Sequence, residues 1–425
     1  MGKDTRADDG DQVPFERELE AVIRDGARQM IEQAVRAELE HLLQLHSNVR
    51  LLDGRRAVVR NGYLPQRQVL TAAGGVAVRV PKVRDRSGQG IKFNSRLVPP
   101  YVRRSARVSA ALPWLYLKGI STGDMQEALE VLLGEDAKGL SPAVISRLKA
   151  NWADEYEAWC QRDLSARRYV YWWADGVHTN LRGDSIDHQC LLTIIGVLPD
   201  GSKELVAIAD GIRESTQSWR ELLLDLKERG LKAEPLLCTA DGALGLWTAL
   251  AEVFPRTRAQ RCWVHKTANV LNALPKAVQA KAKAGLHEIW MAPDRKSAQA
   301  AFDHFARTWG AKYPKAVQKL VKDRGSLLTF YDFPAEHWVH LRTSNPIEST
   351  FATVRHRATR TKGCVSRASF LALAFKLVQE AEKSWRRITA PQRIAELLAG
   401  VVFKDGESAN GQDSQQEQEQ QELAA

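Results

Sequence analysis

The chain has 425 residues, 44% of them hydrophobic, enough for about three domains of ordinary size, and no run of about 18 apolar residues that would read as a membrane span. Its charged N-terminus (MGKDTRADDGDQ) is unlike a secretion signal, and Cys160, Cys190, Cys238, Cys262 and Cys364 are too scattered for a disulfide framework, so a reducing cytosol is expected. The net charge of +10 is uneven: Lys404 stands against six acids between 404 and 425, leaving about +15 on residues 1–403, an excess that suits a polyanionic partner.

From Phe15 to His46 apolar residues recur at helical spacing (Phe15, Leu19, Val22, Ile23, Met30, Ile31, Val35, Leu39, Leu42), interrupted once by Gly26, which predicts one or two amphipathic helices. Such a face serves either the domain's own core or a dimer contact, and the pattern does not separate the two. Residues 56–86 alternate β-branched side chains on either side of Ala72-Ala73-Gly74-Gly75, which predicts a hairpin. Its charges are almost all positive. Arg60, Arg67, Arg79, Lys82 and Arg84 are candidate phosphate contacts of a small β unit, and Arg103, Arg104 and Arg107 extend the basic character. Between Gly119 and Trp152 two helices are predicted, one capped by Ser121-Thr122 and ended by Gly134, the other opened by Ser141 and Pro142. The pair has the outline of a helix-turn-helix, although its link from Gly134 to Leu140 exceeds the usual turn of about three to four residues. DNA reading by the second helix through Ser146, Arg147 and Lys149 and plain helical packing are equal alternatives.

From Arg168 the pattern becomes α/β. Residues 169–175 (YVYWWAD), 189–201 (QCLLTIIGVLPDG) and 203–211 (KELVAIADG) predict three buried strands, with an Asp-Gly turn between the last two. A helix over 214–229, a strand ending at Asp241, a helix over 244–253 and a strand over 256–262 follow. Three antiparallel strands and then alternating helix and strand is the order of a ribonuclease-H-like sheet. Residues 266–340, helical in pattern, Lys-rich and bearing Trp290, Trp309 and Trp338, are too long for a loop and predict an inserted helical subdomain. A helix then starts at Ser344 or Asn345 with Pro346 in its first turn, another spans about 369–382, and a short one covers 391–399. Beyond 402 the Gln/Glu-rich tail lacks the apolar content to order itself.

Three carboxylates fall where such a sheet would bring them together: Asp175 at the end of the first strand, Asp241 at the end of its neighbour, and Glu348 in the first turn of the helix after the insertion. Each has an ordinary reading alone, since Asp175-Gly176 and Asp241-Gly242 make turns and Glu348 could complete a capping box with Asn345. In the order strand, strand, helix they read as a metal site. Three crowded acids resist ionising together unless hard divalent cations neutralise them, and two Mg²⁺ or Mn²⁺ ions on oxygen ligands would serve phosphoryl transfer. Beyond Asp241, Cys262 and His265 form a Cys-x-x-His pair. A closed zinc site needs four ligands and no second pair has matching spacing, which favours a packing or domain-stabilising role.

The blocks WADGVHTN, CTADGALGL, RCWVH and HLRTSNPIESTFATVRHRATRTKG, as an ordered set, resemble the bacterial Mutator-type insertion-sequence transposases, a DDE family. The resemblance extends more weakly from about Leu42 to Ala399, through NGY, VPKVRDR and LYLKGISTGDMQEAL. It implies that Asp175, Asp241 and Glu348 are the catalytic triad, that Cys262 and His265 are the family's Cys-x-x-His, and that residues 266–340 are its helical insertion. Arg355, two helical turns after Glu348 and on the same face, resembles the basic residue such transposases direct at DNA. With Arg357, Arg360, Lys362 and Arg367, and no acid from Ser349 to Ser369, it makes a dense positive run.

The expected architecture is multidomain α+β. Helices plus a basic β unit over 1–105 and a helix-turn-helix-like region over 106–165 would bind DNA, the former also serving dimerisation. A ribonuclease-H-like α/β catalytic domain over 166–265 and 341–402, split by the all-helical insertion 266–340, would cut and join strands, and a disordered acidic tail would cover 403–425. The partners would be double-stranded DNA at the terminal inverted repeats and target, and at least a second copy of the chain, since both element ends must be held; the compartment would be the bacterial cytoplasm, at the nucleoid. The resemblance adds a circular intermediate. Two rivals stand beside this reading: a catalytically silent, transposase-derived repressor, which has no need of three acids, and a ribonuclease-H-like nuclease without strand transfer, which differs in its products.

Overall fold

The computed structural model describes residues 12–120, 124–134, 142–179, 189–212, 214–242, 244–360 and 366–409. It divides into two compact units, Met1–Leu148 and Lys149–Ala425.

In the first unit, α1 (Gln12–Leu45) is one helix, unbroken at Gly26, around which there is open space. A glycine there costs about 1 kcal/mol against alanine, which burial of Val35 and Leu39, each worth ~1.5–3 kcal/mol, offsets. Those two side chains pack with Val69, Val76, Val78 and Val80 of the basic β region, while Leu19, Val22, Ile23 and Met30 are exposed. β1 (Val58–Tyr63) pairs antiparallel with β4 (Pro81–Asp85), and β2 (Arg67–Thr71) with β3 (Gly74–Val78). The predicted hairpin is present, with its turn narrowed to Ala72-Ala73. Gly74 opens β3 at φ +94°, and a Cβ there would lie 2.8 Å from the Leu133 carbonyl oxygen. Next come α2 (Ala106–Leu117) and α3 (Asp124–Leu133), the latter ended by Gly134 in the left-handed region at φ +89°. The expected caps Ser121, Thr122 and Ser141 and the link over 135–141 lie outside the described residues.

α4 (Pro142–Cys160) runs well beyond Trp152 and crosses from the first unit into the second. Its second half has its partners in the second unit: Tyr156 Oη donates to the Ile208 carbonyl at 2.9 Å, and the Tyr156 and Trp159 rings pack on Phe375. The two units divide inside α4, between Leu148 and Lys149, rather than at the 165 boundary expected from sequence, because aromatic packing ties the end of the helix to the second unit.

The second unit is built on β5 (Tyr171–Thr179), β6 (Gln189–Val197), β7 (Lys203–Ile212), α5 (Thr216–Glu228), β8 (Leu237–Ala240), α6 (Leu244–Val253) and β9 (Arg258–Arg261). The five strands form one sheet in the order β7-β6-β5-β8-β9, antiparallel among β5, β6 and β7 and parallel from β5 to β8 and β9. Alternation sorts the side chains. Trp172 and Ala174 of β5 and Cys238 and Ala240 of β8 join Trp219, Leu223, Leu250 and Phe254 of the α5–α6 layer in one buried cluster. Tyr171, Trp173 and Thr239 face the other way, towards the segment 337–341. Residues 263–341 are helical as expected: α7 (Trp263–Leu271), α8 (Lys276–Trp290), α9 (Arg295–Gly310), α10 (Pro314–Val321), α11 (Arg324–Leu327) and α12 (Trp338–Leu341), with two short 3-10 turns before α12. α13 (Asn345–Arg360) then packs against β5 and β6, α14 (Arg367–Glu382) against β7, and α15 (Gln392–Leu398) follows.

Order does not stop at 402. β10 (Phe403–Lys404) and β11 (Glu407–Ser408) make a hairpin with Phe403 buried, Gly406 N–H on the Tyr331 carbonyl at 3.2 Å, and Asp405 Oδ1 accepting the Arg295 N–H at 2.7 Å. Backbone pairing supplies what the weak apolar content of this stretch does not. Residues 410–425 lie outside the described residues.

Candidate active site

Ala174 of β5 is level with Ala240 of β8, so the next residues in that register are Asp175 and Asp241. Both fall on the face of Trp173 and Thr239. β8 ends at Ala240, as expected, whereas β5 does not end at Asp175: it continues to Thr179 against β6, with Asp175 opposite Thr193. Asp175 is thus the first residue beyond the β8 pairing but interior to the β6 pairing, because β6 is the longer neighbour.

Glu348 reaches the same face by a run of hydrogen bonds that seats residues 340–344 on the sheet. Trp173, two before Asp175, donates Nε1–H to the His340 carbonyl at 3.0 Å; Thr239, two before Asp241, donates its hydroxyl to the Leu341 carbonyl at 2.9 Å. Trp263 N–H meets the Arg342 carbonyl at 2.9 Å, and Ser344 donates its N–H to Cys262 Sγ at 3.3 Å, with its Oγ also 3.3 Å from that sulfur. α13 starts from there, with the Ser344 carbonyl accepting the N–H groups of Ile347 and Glu348 and with Ile347, Phe351 and Val354 fully buried. The helix begins at Asn345, so Asn345 is not its cap and the capping-box reading of Glu348 is not realised; the carboxylate accepts from Ser344 Oγ at 3.0 Å instead.

The electrostatics are those of a crowded acid site. Burial, then the charge of Asp241 and further that of Glu348, raise the Asp175 carboxyl to about 7, with His265 opposing. His265 is raised to about 9, first by its hydrogen bond to Cys262; burial pushes the Cys262 thiol up, but bonds from His265 and Ser344 leave it lowered overall. His265 Nδ1 lies 3.7 Å from Glu348 Oε1, and ligand atoms of Cys262, His265 and Glu348 fall within 4.8 Å of one another.

A fourth acid, Glu214, joins the cluster. It stands just before the Ser215 cap of α5, outside the helix expected to begin with it. Burial and then the charges of Asp241 and Asp175 raise it to about 7, and its Oε1 is 3.3 Å from His178 Nε2. Only the fold reveals it: a Cβ at Gly176 would sit 2.2 Å from Glu214 Oε1, so the glycine after Asp175 makes room for this carboxylate rather than for a turn.

The candidate DNA contacts divide. Arg60, Arg79, Lys82, Arg84, Arg147 and Arg355 are exposed and Lys149 is half-buried. Arg67 is a structural clamp, donating to the carbonyls of Val98 at 2.9 Å, Pro99 at 2.5 Å and Val102 at 3.2 Å, and also to that of Pro100. Arg367 pairs with Asp210 at 3.0 Å, which fixes α14 on β7. The side chains of Arg357 and Arg360, and Lys362 altogether, lie outside the described residues.

Fold and site together define an α/β protein with an acid cluster where the parallel pairing of two adjacent strands ends, in a strongly basic chain. The chain belongs to the Mutator family of transposases, whose sequence signature spans residues 6–388. It is 59% identical over 293 residues to the transposase for insertion sequence element IST2 of Acidithiobacillus ferrooxidans, covering 67% of this chain and 96% of that one. It is 54% identical over 299 residues to the transposase for insertion sequence element IS6120 of Mycolicibacterium smegmatis, covering 70% and 92%. Among solved structures, the Drosophila P element transposase strand transfer complex aligns over 69% of this chain and 91% of that chain at 10% identity with a TM-score of 0.23; the family assignment stands on the sequence relatives alone. Among the described residues no helix is long and apolar enough to cross a membrane.

Proposed function

We propose that this chain is the DNA transposase of an insertion sequence, with a ribonuclease-H-like catalytic unit that cuts and joins strands at Asp175, Asp241 and Glu348. The observation that carries the reading is positional: two aspartates level with each other, each the residue after the last pair of two neighbouring parallel strands, and a glutamate delivered to the same face by a helix seated on those strands. The strand order and the mixed pairing of the sheet support the ribonuclease-H-like assignment.

The donor set is all oxygen, and burial with the neighbouring Asp241 charge raises the Asp175 carboxyl, a crowding of acids that suits hard divalent ions. Asp175, Asp241 and Glu348 would hold Mg²⁺ or Mn²⁺, which supplies positive charge to the nucleophile and the leaving oxygen. In this reading a water attacks the phosphodiester at the element's end and the 3′ oxygen leaves as a hydroxyl. That hydroxyl then attacks a second phosphodiester, exchanging one P–O bond for another, at the other end of the element or in target DNA. Arg355, exposed on α13 seven residues after Glu348, would neutralise a phosphate beside the acids. The basic, exposed Arg60, Arg79, Lys82 and Arg84 of the first unit suit the backbone of the terminal repeats, and α1's exposed Leu19, Val22, Ile23 and Met30 suit contact with a second copy.

The test is cleavage of a labelled duplex carrying the element's end, with Mg²⁺ or Mn²⁺, by wild type and Glu348→Gln. Metal-dependent nicking at the end that the variant loses, by a factor of at least ~10³, is the expected result. Wild-type protein that binds the end but never cuts it would replace this reading with a silent repressor, and cutting without joined products would replace it with a nuclease.

A further inference from the structure

We propose that Cys262 and Ser344 are positioning residues for Glu348, and that the Cys-x-x-His segment is a strap tying the end of the Asp241 strand to the start of the Glu348 helix. This rests on the reading of Glu348 as a catalytic acid.

The strap has two anchors. At one end the Cys262 N–H bonds to the carbonyl of Ala240, the residue before Asp241, at 2.8 Å. At the other end the same residue's sulfur receives the Ser344 N–H at 3.3 Å, at the threshold of α13. One residue therefore holds the second acid's strand and the third acid's helix at once, and it is buried at 1% exposure, where no water competes for these bonds. Ser344 is likewise fully buried.

Proton counting gives the direction. Ser344 has a single hydroxyl proton and three neighbours: Glu348 Oε1 at 3.0 Å, Cys262 Sγ at 3.3 Å and His265 Nδ1 at 3.4 Å. The carboxylate is the nearest and strongest acceptor, so the hydroxyl donates to Glu348, and Cys262 keeps its hold on Ser344 through the backbone N–H. Glu348 is four residues from Ser344, too far along the helix for a capping box, so this hydroxyl bond serves to aim the carboxylate rather than to cap α13. Loss of the sulfur would free the Ser344 backbone, and loss of the hydroxyl would free the Glu348 rotamer. Either leaves the acid present but misaimed. His265, 3.7 Å from Glu348 Oε1, closes the fourth side of the network.

The test uses the full chain as wild type, Cys262→Ala, Cys262→Ser, Ser344→Ala and Glu348→Gln. Hydrogen exchange of the 341–350 segment and Mn²⁺ binding by paramagnetic resonance are read without DNA, and metal-titrated cleavage is read with it. Ser344→Ala and Cys262→Ala are expected to weaken Mn²⁺ binding roughly 10- to 100-fold, the usual effect of losing a group that orients a ligand. End-DNA binding should be unchanged, Cys262→Ala should speed exchange in 341–350, and Cys262→Ser, which keeps an acceptor, should recover most of the metal affinity. Wild-type Mn²⁺ binding in Ser344→Ala overturns the proposal, even where Cys262→Ala does not fold. So does one zinc ion per chain that Cys262→Ala loses, since Cys262, His265 and Glu348 would then be its ligands. If wild type fails to cleave at any metal concentration, the catalytic reading falls, while exchange and Mn²⁺ binding still judge the strap.

Discussion

Asp175 and Glu214 both titrate near neutrality because they are buried among like charges. A carboxyl raised from its unfolded value to about 7 favours the protonated fold, so its contribution is fully present below pH ~4 and is lost as pH rises through 7. The metal-free protein should therefore lose thermal stability between about pH 4 and 7, with Asp175→Asn reducing the fall and saturating Mn²⁺ abolishing it. Calorimetry across that range checks this, and a flat or rising profile contradicts it. At this scale the placement of Asp175, Asp241 and Glu348 on strand, strand and helix was legible only as an ordered set, since each acid alone has an ordinary reading. Glu214 was not legible: next to a Ser cap it looks like an ordinary helix-start acid, and only the fold puts Gly176 beneath it.

Elements are fixed in place by close approaches that tolerate no added atom. A Cβ on Gly245 of α6 would lie 2.4 Å from the Glu214 carbonyl oxygen and 2.8 Å from Ser215 C, both backbone, whereas one on Gly176 would meet only the movable Glu214 side chain. Gly245→Ala should thus destabilise by about 1–3 kcal/mol and more than Gly176→Ala, which should instead displace Glu214. Denaturant melts of the two variants decide the order. A parallel contrast holds in the β region. Arg67→Ala should unfold or loosen the first unit, since four carbonyls lose their donor, while Lys82→Ala or Arg84→Ala should leave stability alone and lower the salt slope of DNA binding by about 1 each. The sequence pattern treated these cations alike because charge and spacing say nothing of which guanidinium folds back on its own chain.

For the molecule as a whole, about +15 on residues 1–403 predicts binding to duplex DNA that weakens steeply with salt, by roughly 10³-fold or more from 50 to 200 mM when six or more phosphates are neutralised. Filter binding across that range tests it, and a shallow dependence would mean the excess charge serves solubility instead. Strand and helix order in the second unit followed from periodicity, as did the helical nature of 263–341 and the hairpin around Ala72-Ala73, because these are local patterns of burial. The meeting of unit boundary and helix at Leu148 and Lys149 did not follow, because the pull on α4 comes from Phe375 and Ile208, more than two hundred and about fifty residues away respectively from the helix's end.

By itself the sequence determined the residue chemistry: three acids in the order strand, strand, helix, a basic chain to meet a polyanion, and a Cys-x-x-His whose purpose stayed open. Tertiary structure decided which groups touch. It set Asp175 level with Asp241 through the β5–β8 register, turned Glu214 towards them across Gly176, spent Arg67 on its own backbone, and placed Cys262 between Ala240 and Ser344. Local patterns encode which face of an element is buried, whereas contacts between residues a hundred positions apart depend on how those faces are stacked.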